Sequence, residues 1–312
     1  MSKQIAIVGG GYIGAELAKA LDAKADVTLI EANSHFVHAP AMIRAVVQPS
    51  VLEEALIPYD ALLTNGKTVQ ARATAIDGDG VTLETGEKIA ADYIVVATGS
   101  SNAMPFKPGD RGILGLQAEN ARIHEMLKIA GHVTIVGAGA VGTELAGEIA
   151  HFMPDKTVTL VSSDPALFPT LPKKLGDSLA AKLRAAGVKL VLGARAENLE
   201  SLTVPYEGSI TLSTGETLAP GLVFPAVGSK ASSSLLEGLE GAEVSTANRI
   251  KTDGWMRPSA LANVFAAGDV ADMGDAMTIV ASSRQLPWLT KTLTALIDGK
   301  PLESLKPYAP WA

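Results

Sequence analysis

Short apolar runs and amphipathic stretches alternate along the chain, and two of these alternations are built alike. The first contains apolar runs at Ile5–Val8 and Val27–Ile30, and the second contains runs at Val133–Val136 and Val158–Val161. Within each pair, a glycine-rich turn and a stretch with apolar residues three and four apart separate the two runs. Short apolar runs on either side of a helical period are typical of buried strands joined by a helix. The pattern therefore predicts two copies of a β-α-β motif.

The similarity between the two copies continues downstream. Residues Val81–Glu87 match Ile210–Glu216 almost residue for residue, with alternating apolar positions around a turn that contains glycine. Each segment predicts a small β-meander, and each precedes an apolar strand, at Tyr93–Ala97 and Leu222–Val227. A duplication of this extent predicts two α/β domains rather than one long sheet.

The residues after the second copy lack a complete domain pattern. They hold the apolar run Val264–Ala267 and a mostly helical segment, in which Pro287 is expected to begin a new helix. We expect this piece to return to the first domain. The predicted organisation is a discontinuous first domain, residues 1–108 and 237–312, with a second domain, residues 109–236, inserted into it.

Each copy carries the spacing G-x-G-x-x-G between its first strand and its helix. The six glycines are Gly9, Gly11, Gly14, Gly137, Gly139 and Gly142. In this context the first glycine of each set permits a tight turn, the second lets a pyrophosphate approach the backbone, and the third lets the helix pack closely on its strand. The helix N-terminus then presents unpaired N–H groups to the phosphates. Both copies are therefore predicted to be Rossmann-like and to bind a dinucleotide.

The end of the second strand distinguishes the two copies. Glu31 lies where a carboxylate can accept hydrogen bonds from an adenosine ribose. Ser162 occupies the matching position in the second copy, so no carboxylate repels a 2′-phosphate there, but no adjacent arginine binds one either. The sequence permits NADPH as well as NADH in the second copy.

Three other strand ends carry a glycine that a cofactor could approach. Gly268-Asp269 follows the run Val264–Ala267, and a carboxylate there can hold a ribitol hydroxyl, with the next helix directing its N-terminus towards the pyrimidine edge of a flavin. Thr98-Gly99 and Gly228 follow the last strands of the two copies. We expect all of these residues to contact bound cofactors.

Together these features resemble the flavoproteins with two dinucleotide-binding domains, such as glutathione reductase, ferredoxin reductases, type II NADH dehydrogenases and apoptosis-inducing factor. The resemblance rests on the two glycine-rich copies, on Ala97–Ser100 and on Ala267–Asp269, and it covers nearly the whole chain. It implies a glutathione-reductase-type fold in which the first copy and Asp269 bind FAD and the inserted copy binds NAD(P)H.

A closer resemblance is to the ferroptosis-suppressor branch of the apoptosis-inducing-factor-like proteins. It lies in the segments Gly142–Ile149, Pro154–Leu160, Leu171–Leu192 and Pro301–Pro307. That branch consists of NAD(P)H:quinone oxidoreductases and tolerates a non-acidic residue at the second-strand end, so the resemblance implies a quinone-type acceptor. The branch continues with a C-terminal segment that covers the flavin, whereas this sequence ends at Ala312. Either the sequence is shortened or its acceptor site is open.

The composition narrows the chemistry. The chain contains no cysteine, which excludes a redox-active thiol pair and iron–sulfur ligation by its own residues. Electrons are therefore expected to pass from the flavin directly to a diffusible acceptor, for which a small molecule such as a quinone is favoured. A net charge of -7 gives no reason to expect a nucleic-acid partner, and no metal site is expected.

The hydropathy pattern bears on localisation. The chain contains no signal-peptide apolar region, and no apolar run approaches the roughly 18 residues of a membrane-spanning helix. We expect a cytoplasmic protein, with peripheral membrane contact and oligomeric state left open.

Three side chains are candidates for chemistry near the redox rings. Glu144, at the start of the second-copy helix, is a candidate for contacting the nicotinamide carboxamide, or is simply favoured there by the helix dipole. His38 is a candidate proton donor, or an ordinary solvated histidine. Arg44 is expected to pair with cofactor phosphate, to stabilise reduced flavin or to form a surface ion pair. The expected reaction is hydride transfer from nicotinamide to flavin, followed by electron transfer to the acceptor.

Three functions fit these observations. The first is NAD(P)H:quinone reduction, and the second is reduction of a ferredoxin or rubredoxin, which favours a basic docking face and is mildly disfavoured by the net charge. The third is a slow-turnover, NADH-sensing flavoprotein that acts by binding partners. Steady-state turnover with several acceptors distinguishes them.

Overall fold

The structure is a computed structural model that describes residues 2–310. The described chain separates into two compact units. The first unit lies within Met1–Phe36, Pro58–Ser101 and Lys230–Ala312, and the second comprises Val37–Ile57 and Asn102–Ser229. Residues 37–57, which the prediction assigned to the first domain, pack with the second unit because their apolar side chains belong to its hydrophobic clusters. Which unit binds which nucleotide stays a prediction.

Nineteen strands occur in the described residues, and most of them are short. In chain order they are β1 (Gln4–Val8), β2 (Asp26–Glu31), β3 (His35–Val37), β4 (Leu56–Pro58), β5 (Lys67–Gln70), β6 (Ala73–Asp77), β7 (Gly80–Leu83), β8 (Lys88–Ala90), β9 (Tyr93–Val96), β10 (Ser100–Ser101), β11 (His132–Val136), β12 (Thr157–Ser162), β13 (Lys189–Leu192), β14 (Tyr206–Gly208), β15 (Gly221–Pro225), β16 (Lys230–Ala231), β17 (Ile250–Lys251), β18 (Val264–Ala266) and β19 (Ala271–Asp272).

Eight α-helices connect these strands in the described residues. They are α1 (Tyr12–Leu21), α2 (Ala39–Ala45), α3 (Leu52–Ala55), α4 (Gly112–Ile129), α5 (Ala140–Phe152), α6 (Lys173–Ala185), α7 (Ser234–Glu237) and α8 (Ile279–Ile297). Single 3₁₀ turns occupy Pro49–Val51, Gly268–Val270 and Leu302–Ser304.

The first unit is built on a five-stranded parallel sheet in the order β5-β2-β1-β9-β18. Ile5 and Ile7 of β1 pack in one apolar cluster with α1 and α8, whereas Ala6 and Val8 pack on the opposite face with the meander. The sheet is thus buried on both faces, which accounts for the mainly apolar residues of its central strands. In sheets of this strand order, ligands bind beyond the carboxyl ends of the strands.

The second unit repeats this plan with the order β13-β12-β11-β15-β14, in which only β14 is antiparallel to its neighbour. Its β11 packs Val133 and Ile135 against α5 and α6, and Val136 faces a second cluster on the other side. The predicted class, α/β with two Rossmann-like sheets, is confirmed.

The two predicted meanders differ. Strands β6, β7 and β8 form a three-stranded antiparallel sheet in the first unit, whereas the matching stretch of the second unit forms only isolated bridges at Ala196–Leu212 and Thr211–Thr217. The turns themselves are alike: Gly86 and Gly215 both have φ of 85°, and each N–H donates to the carbonyl three residues earlier. The duplication therefore persists in the turn even where the second unit lacks continuous pairing.

The helix α8 corrects the expectation that Pro287 begins a new helix. The helix begins at Ile279, where Thr278 caps it by accepting the N–H of Ala281 at 3.1 Å, and it continues through Pro287. Its buried residues on both sides of the proline, including Gln285 and Leu289, hold it against the first unit. Within residues 2–310, no helix has the length and apolar character needed to cross a bilayer.

Candidate functional site

The first glycine-rich turn connects β1 to α1 at the carboxyl edge of the sheet. Gly9 has φ of +101°, and a Cβ there would clash with the backbone at Ala97, so only glycine fits. A Cβ on Gly14 would overlap the Gly9 carbonyl oxygen, which explains why the helix can lie so close to its strand. At Gly11 no heavy atom lies within 4 Å of the Cβ position. Gly9 and Gly14 are therefore required by the close packing of the backbone itself, whereas the space beside Gly11 is open to a ligand.

The second turn has the same construction between β11 and α5. Gly137 has φ of +109° and lies against the backbone at Ala226, and a Cβ on Gly142 would overlap the Gly137 carbonyl oxygen. Gly139 again has no heavy atom within 4 Å of its Cβ position. Both turns therefore leave the space that a dinucleotide pyrophosphate requires at the second glycine and at the N-terminus of the following helix.

Glu31 lies beside the first turn. Its Oε2 accepts the N–H of Gly10 at 2.6 Å, and its Oε1 accepts the backbone and side-chain N–H groups of Asn33 at 2.9 Å. These bonds fix the carboxylate at the end of β2, and Oε2 retains capacity for another donor such as a ribose hydroxyl. The position fits the adenosine-binding role expected from the sequence.

Tyr59 also binds this turn, although its sequence context does not indicate that role. Its buried hydroxyl donates to the Gly10 carbonyl at 2.6 Å. Burial, and secondarily the charge of Glu31, raise the pKa of the Tyr59 hydroxyl, so it remains a donor. Nothing in the local sequence around Tyr59 signals this contact, because the partner is a main-chain carbonyl about fifty residues away.

Ser162 ends β12 where Glu31 ends β2. The serine is buried, and its Oγ accepts the N–H of Asp164 at 3.2 Å. The second unit thus presents a hydroxyl at the position of the first unit's carboxylate, and Asp164 lies exposed two residues further on. This arrangement leaves the choice between NADH and NADPH as open as the sequence does.

The segment Gly268–Asp269 follows β18 at the same sheet edge as the first glycine turn, since Val8, Val96 and Ala266 are in register. Gly268 has φ of +80°. Asp269 accepts the Ser100 hydroxyl through Oδ2 at 2.6 Å, which orients the carboxylate. A fixed carboxylate at this edge fits the predicted contact with a ribitol hydroxyl.

Arg249 binds the main chain of the same segment, a contact that was not predicted from the sequence. Its side chain is 5% exposed, and the guanidinium donates to four main-chain carbonyls of one short stretch: Gly268, Asp269, Ala271 and Asp275. Arginine is ordinarily an exposed residue, so the burial of Arg249 could not be foreseen from the sequence.

Thr98, Gly99 and Gly228 are the remaining predicted residues at strand ends, and the two glycines have open space beside them. The Thr98 hydroxyl donates to the Ser232 carbonyl at 2.7 Å. Gly99 and Gly228 have φ of +66° and +87°, and neither has a heavy atom within 4 Å of its Cβ position. Their contacts with cofactors stay predictions.

Glu144 and Arg44 belong to one cluster of charges in the second unit. Arg44 makes a two-point ion pair with Glu148, with N–O distances of 3.0 and 2.9 Å, and its guanidinium lies 5.5 Å from the centre of the Phe152 ring. These contacts favour the surface ion pair among the roles considered for Arg44; the cofactor roles stay predictions. His38 is exposed and directly precedes α2. Its main-chain N–H donates to the Ala55 carbonyl.

The Glu144 carboxyl lines a depression of about 510 Å³ formed by α5 and α6. Partial burial raises the pKa of the Glu144 carboxyl, the nearby Glu148 charge raises it further, and Arg44 opposes both. A carboxyl with a raised pKa, one turn into the helix that follows the glycine turn, can accept hydrogen bonds when ionised or donate one when protonated. Among residues 2–310 no cluster of metal-ligating side chains occurs.

Comparison with known proteins identifies the family of the chain. A family model described as pyridine nucleotide-disulphide oxidoreductase matches residues 51–285, and a second model of that description matches residues 4–58. The chain is 30% identical to apoptosis-inducing factor homolog B of Dictyostelium discoideum over 97% of this chain and 84% of that protein. It is 26% identical to human ferroptosis suppressor protein 1 over 98% of this chain and 84% of that protein.

Solved structures share the fold. A ferredoxin reductase from Rhodopseudomonas palustris superposes with a TM-score of 0.76 at 21% identity, over 99% of this chain and 78% of that one. The reduced CoADR-RHD protein of Bacillus anthracis gives a TM-score of 0.75 at 18% identity, over 95% of this chain. The present chain spans only 57% of that protein, and the likeness extends to the fold alone.

Proposed function

The chain belongs to the pyridine nucleotide-disulphide oxidoreductase family, and from that premise we propose that it is an NAD(P)H:quinone oxidoreductase. Proteins of this family use FAD and NAD(P)H as cofactors. One observation carries the proposal: two glycine turns of the same construction, each open at its second glycine, occur in a chain without cysteine.

The residues of each unit fit one nucleotide. In the first unit, the Gly11 turn and the α1 N-terminus would hold a pyrophosphate, Glu31 an adenosine ribose and Asp269 the ribitol of FAD. In the second, the Gly139 turn and the α5 N-terminus would hold the NAD(P)H pyrophosphate.

When bound, NAD(P)H would supply a hydride, and FAD would supply the redox group that takes up its two electrons and passes them to the acceptor. The chain's own contribution is to fix these groups in place. The Ser100 hydroxyl donates to the Asp269 carboxylate and orients it. Glu144 is proposed to orient the nicotinamide carboxamide by hydrogen bonding, and its raised pKa makes that contact sensitive to pH.

The absence of cysteine directs the choice of acceptor. Disulfide reduction within this family needs a thiol pair beside the flavin, and this chain has none. The similarity to apoptosis-inducing factor homolog B and to ferroptosis suppressor protein 1 supports the quinone-reducing branch that the sequence resembles.

The test is turnover of the FAD-reconstituted protein with NADH or NADPH and a panel of quinones, a ferredoxin or no added acceptor. We expect quinone-dependent oxidation of the nicotinamide. Reduction of the ferredoxin alone would favour the protein-acceptor alternative. Negligible turnover with a persistent charge-transfer band would favour the sensing alternative, and the lack of a flavin spectrum would contradict the proposal altogether.

Two matched variants connect turnover to the turns. Gly139→Ala should retain FAD and bind NAD(P)H at least about tenfold more weakly, because a methyl group fills the open space where overpacking costs roughly 1–3 kcal/mol. Gly11→Ala should show the reverse, with weak FAD binding. If neither variant changes binding of its nucleotide, the open turns are not the phosphate sites.

A further inference from the structure

The C-terminal residues of the first unit pack back against the segments that contain Trp255, Asp275 and Trp288. We refer to residues 302–310 as the C-terminal strap. Two tryptophans hold it: Trp255 donates its indole N–H to the Leu305 carbonyl at 3.4 Å, and Trp288 donates to the Lys306 carbonyl at 3.0 Å. Successive main-chain carbonyls are thus fixed by side chains from two separate segments, which defines the path of the strap.

Tyr308 is the residue of the strap whose side chain reaches a buried group. Its N–H donates to the Gly254 carbonyl at 2.7 Å, and its ring lies edge-on to Trp288 with centroids 5.8 Å apart. Its hydroxyl donates to Oδ2 of Asp275 at 2.6 Å. Asp275 is only 4% exposed, so this hydroxyl contacts a buried carboxylate. Burial and this bond raise the pKa of the Tyr308 hydroxyl, which therefore remains a donor at ordinary pH.

Gln285 connects Asp275 to the flavin-binding segment. Its Nε2 donates to the same Oδ2 of Asp275 at 3.0 Å, and its Oε1 accepts the N–H of Gly268 at 2.7 Å. Gln285 is 1% exposed. Because an amide has one donating and one accepting end, the acceptor at Asp275 fixes the orientation that presents Oε1 to Gly268. Flipping the amide would place an NH₂ group against an N–H and leave both unpaired.

We propose that Tyr308 is a positioning residue for FAD, acting through Asp275 and Gln285 to hold Gly268 and Asp269 where the ribitol binds. The chain of contacts is continuous: Tyr308 hydroxyl, Asp275 carboxylate, Gln285 amide, Gly268 N–H. Arg249 fixes the carbonyls of this segment, and the chain from Tyr308 fixes its N–H side and the Asp275 side chain. This inference rests on FAD being held by the first unit.

The experiment measures FAD release from the full-length, FAD-bound protein after dilution, followed by the rise in flavin fluorescence. The test variant is Tyr308→Phe, which removes only the hydroxyl. The matched control is Tyr93→Phe, which removes a hydroxyl that donates to the Leu296 carbonyl of α8 in the same unit, at 3.5 Å. We expect about tenfold faster release from Tyr308→Phe, equivalent to about 1.4 kcal/mol at 25 °C, and release within about twofold of wild type from Tyr93→Phe.

A double-mutant cycle tests the route of the effect. Gln285→Met keeps the length of the side chain and removes both hydrogen bonds, so adding Tyr308→Phe to it should change FAD release by less than about twofold. Thermal midpoints of the FAD-free Tyr308→Phe and Tyr93→Phe variants measure the general destabilisation of each, and the faster FAD release from Tyr308→Phe should persist at temperatures where both variants are fully folded.

Two outcomes would overturn the inference. One is FAD release from Tyr308→Phe at the rate of the Tyr93→Phe control. The other is an undiminished effect of Tyr308→Phe in the Gln285→Met background. The measurement uses neither a nicotinamide nor an acceptor, so failure of the quinone proposal in turnover assays would leave its result unaffected.

Discussion

The charge of Glu144 disfavours the folded state, although the same carboxyl is proposed to bind the nicotinamide. Its carboxyl is partly buried beside Glu148, and both influences raise its pKa. An acid with a raised pKa in the folded state binds its proton more tightly there than in the unfolded chain. The folded protein therefore loses stability as the pH rises from the ordinary value of 4.5 through the higher folded value. A residue whose charge opposes folding at neutral pH is a candidate for a ligand-binding role.

We predict that Glu144→Gln raises the thermal midpoint of the nucleotide-free protein at pH 7–8. The gain should shrink towards zero as the pH falls below about 4.5, where the wild-type carboxyl is protonated in both states. Thermal unfolding between pH 4 and 8 measures this, and a nicotinamide titration of the same variant should show weaker binding.

Glu125→Gln serves as the control of opposite sign. The bond from Lys128 lowers the pKa of the Glu125 carboxyl, so its ionised form favours the folded state above its ordinary pKa. Its removal should therefore slightly lower the midpoint at neutral pH. A gain in both variants would show that loss of any negative charge stabilises this acidic protein, and the local explanation for Glu144 would be wrong.

For single residues, the role can be predicted from the sequence where it depends on the backbone conformation of the residue itself. Gly9 and Gly14 could be assigned because strand, turn and helix are adjacent in sequence, and their geometry follows from the missing Cβ. Tyr59 and Arg249 could not be assigned, because their partners are main-chain carbonyls brought close only by the folded sheet. A side chain that binds main-chain carbonyls leaves no complementary residue type in the sequence.

Among the elements, the stretch from Gly268 to Asp275 has four of its main-chain carbonyls bound by a single side chain, that of Arg249. Arg249 also lies 3.8 Å from the Asp272 carboxylate. This stretch has only a 3₁₀ turn and the two-residue strand β19, so its own backbone bonds cannot hold it. The guanidinium, with five donors in a fixed plane, substitutes for the missing regular structure.

We predict that Arg249→Met lowers the free energy of unfolding by about 3 kcal/mol or more, because it leaves several buried carbonyls without donors. Arg249→Lys should recover only part of this loss, since an ammonium lacks the planar fork. Urea unfolding of the FAD-free protein gives the measurement. Arg257→Met is the comparison: Arg257 pairs with Asp253, four residues earlier in a turn, the pair is partly exposed, and its loss should cost less than about 1 kcal/mol. Equal losses would mean that the carbonyl contacts of Arg249 contribute little.

The elements themselves were predictable where a local pattern determines them. The strands and helices of both β-α-β copies follow from apolar periodicity, but Pro287 shows the limit of that approach. A proline in the sequence signals a break, whereas buried residues on both sides, Gln285 and Leu289, keep α8 continuous. The incomplete second meander is a similar case, because nearly identical residues pair fully in one unit and only at isolated bridges in the other.

For the whole molecule, the compact units do not follow the order of the chain. Residues 37–57 leave the first unit between β2 and β5 and pack with the second, where Val46 and Val47 join its core. The sequence gives no sign of this, because α2 and α3 are short and their apolar residues would fit either core. The duplication predicts that two units exist but not how the intervening helices are divided between them.

Hydrogen exchange can assign a nucleotide to each unit, since ligand binding protects the amides it contacts and those whose opening it opposes. We predict that FAD alone protects the N–H groups of residues 9–14 and of the segment 268–275, with little change at residues 137–142. Addition of NAD⁺ to the FAD-bound protein should then protect residues 137–142 and the end of β12. Gly139→Ala should lose only the second effect. Protection of residues 137–142 by FAD alone would reverse the assignment. Such a reversal is a real test, because the two turns have nearly the same geometry. Only the residue beside each turn, Glu31 in the first unit and Ser162 in the second, distinguishes the two nucleotide sites.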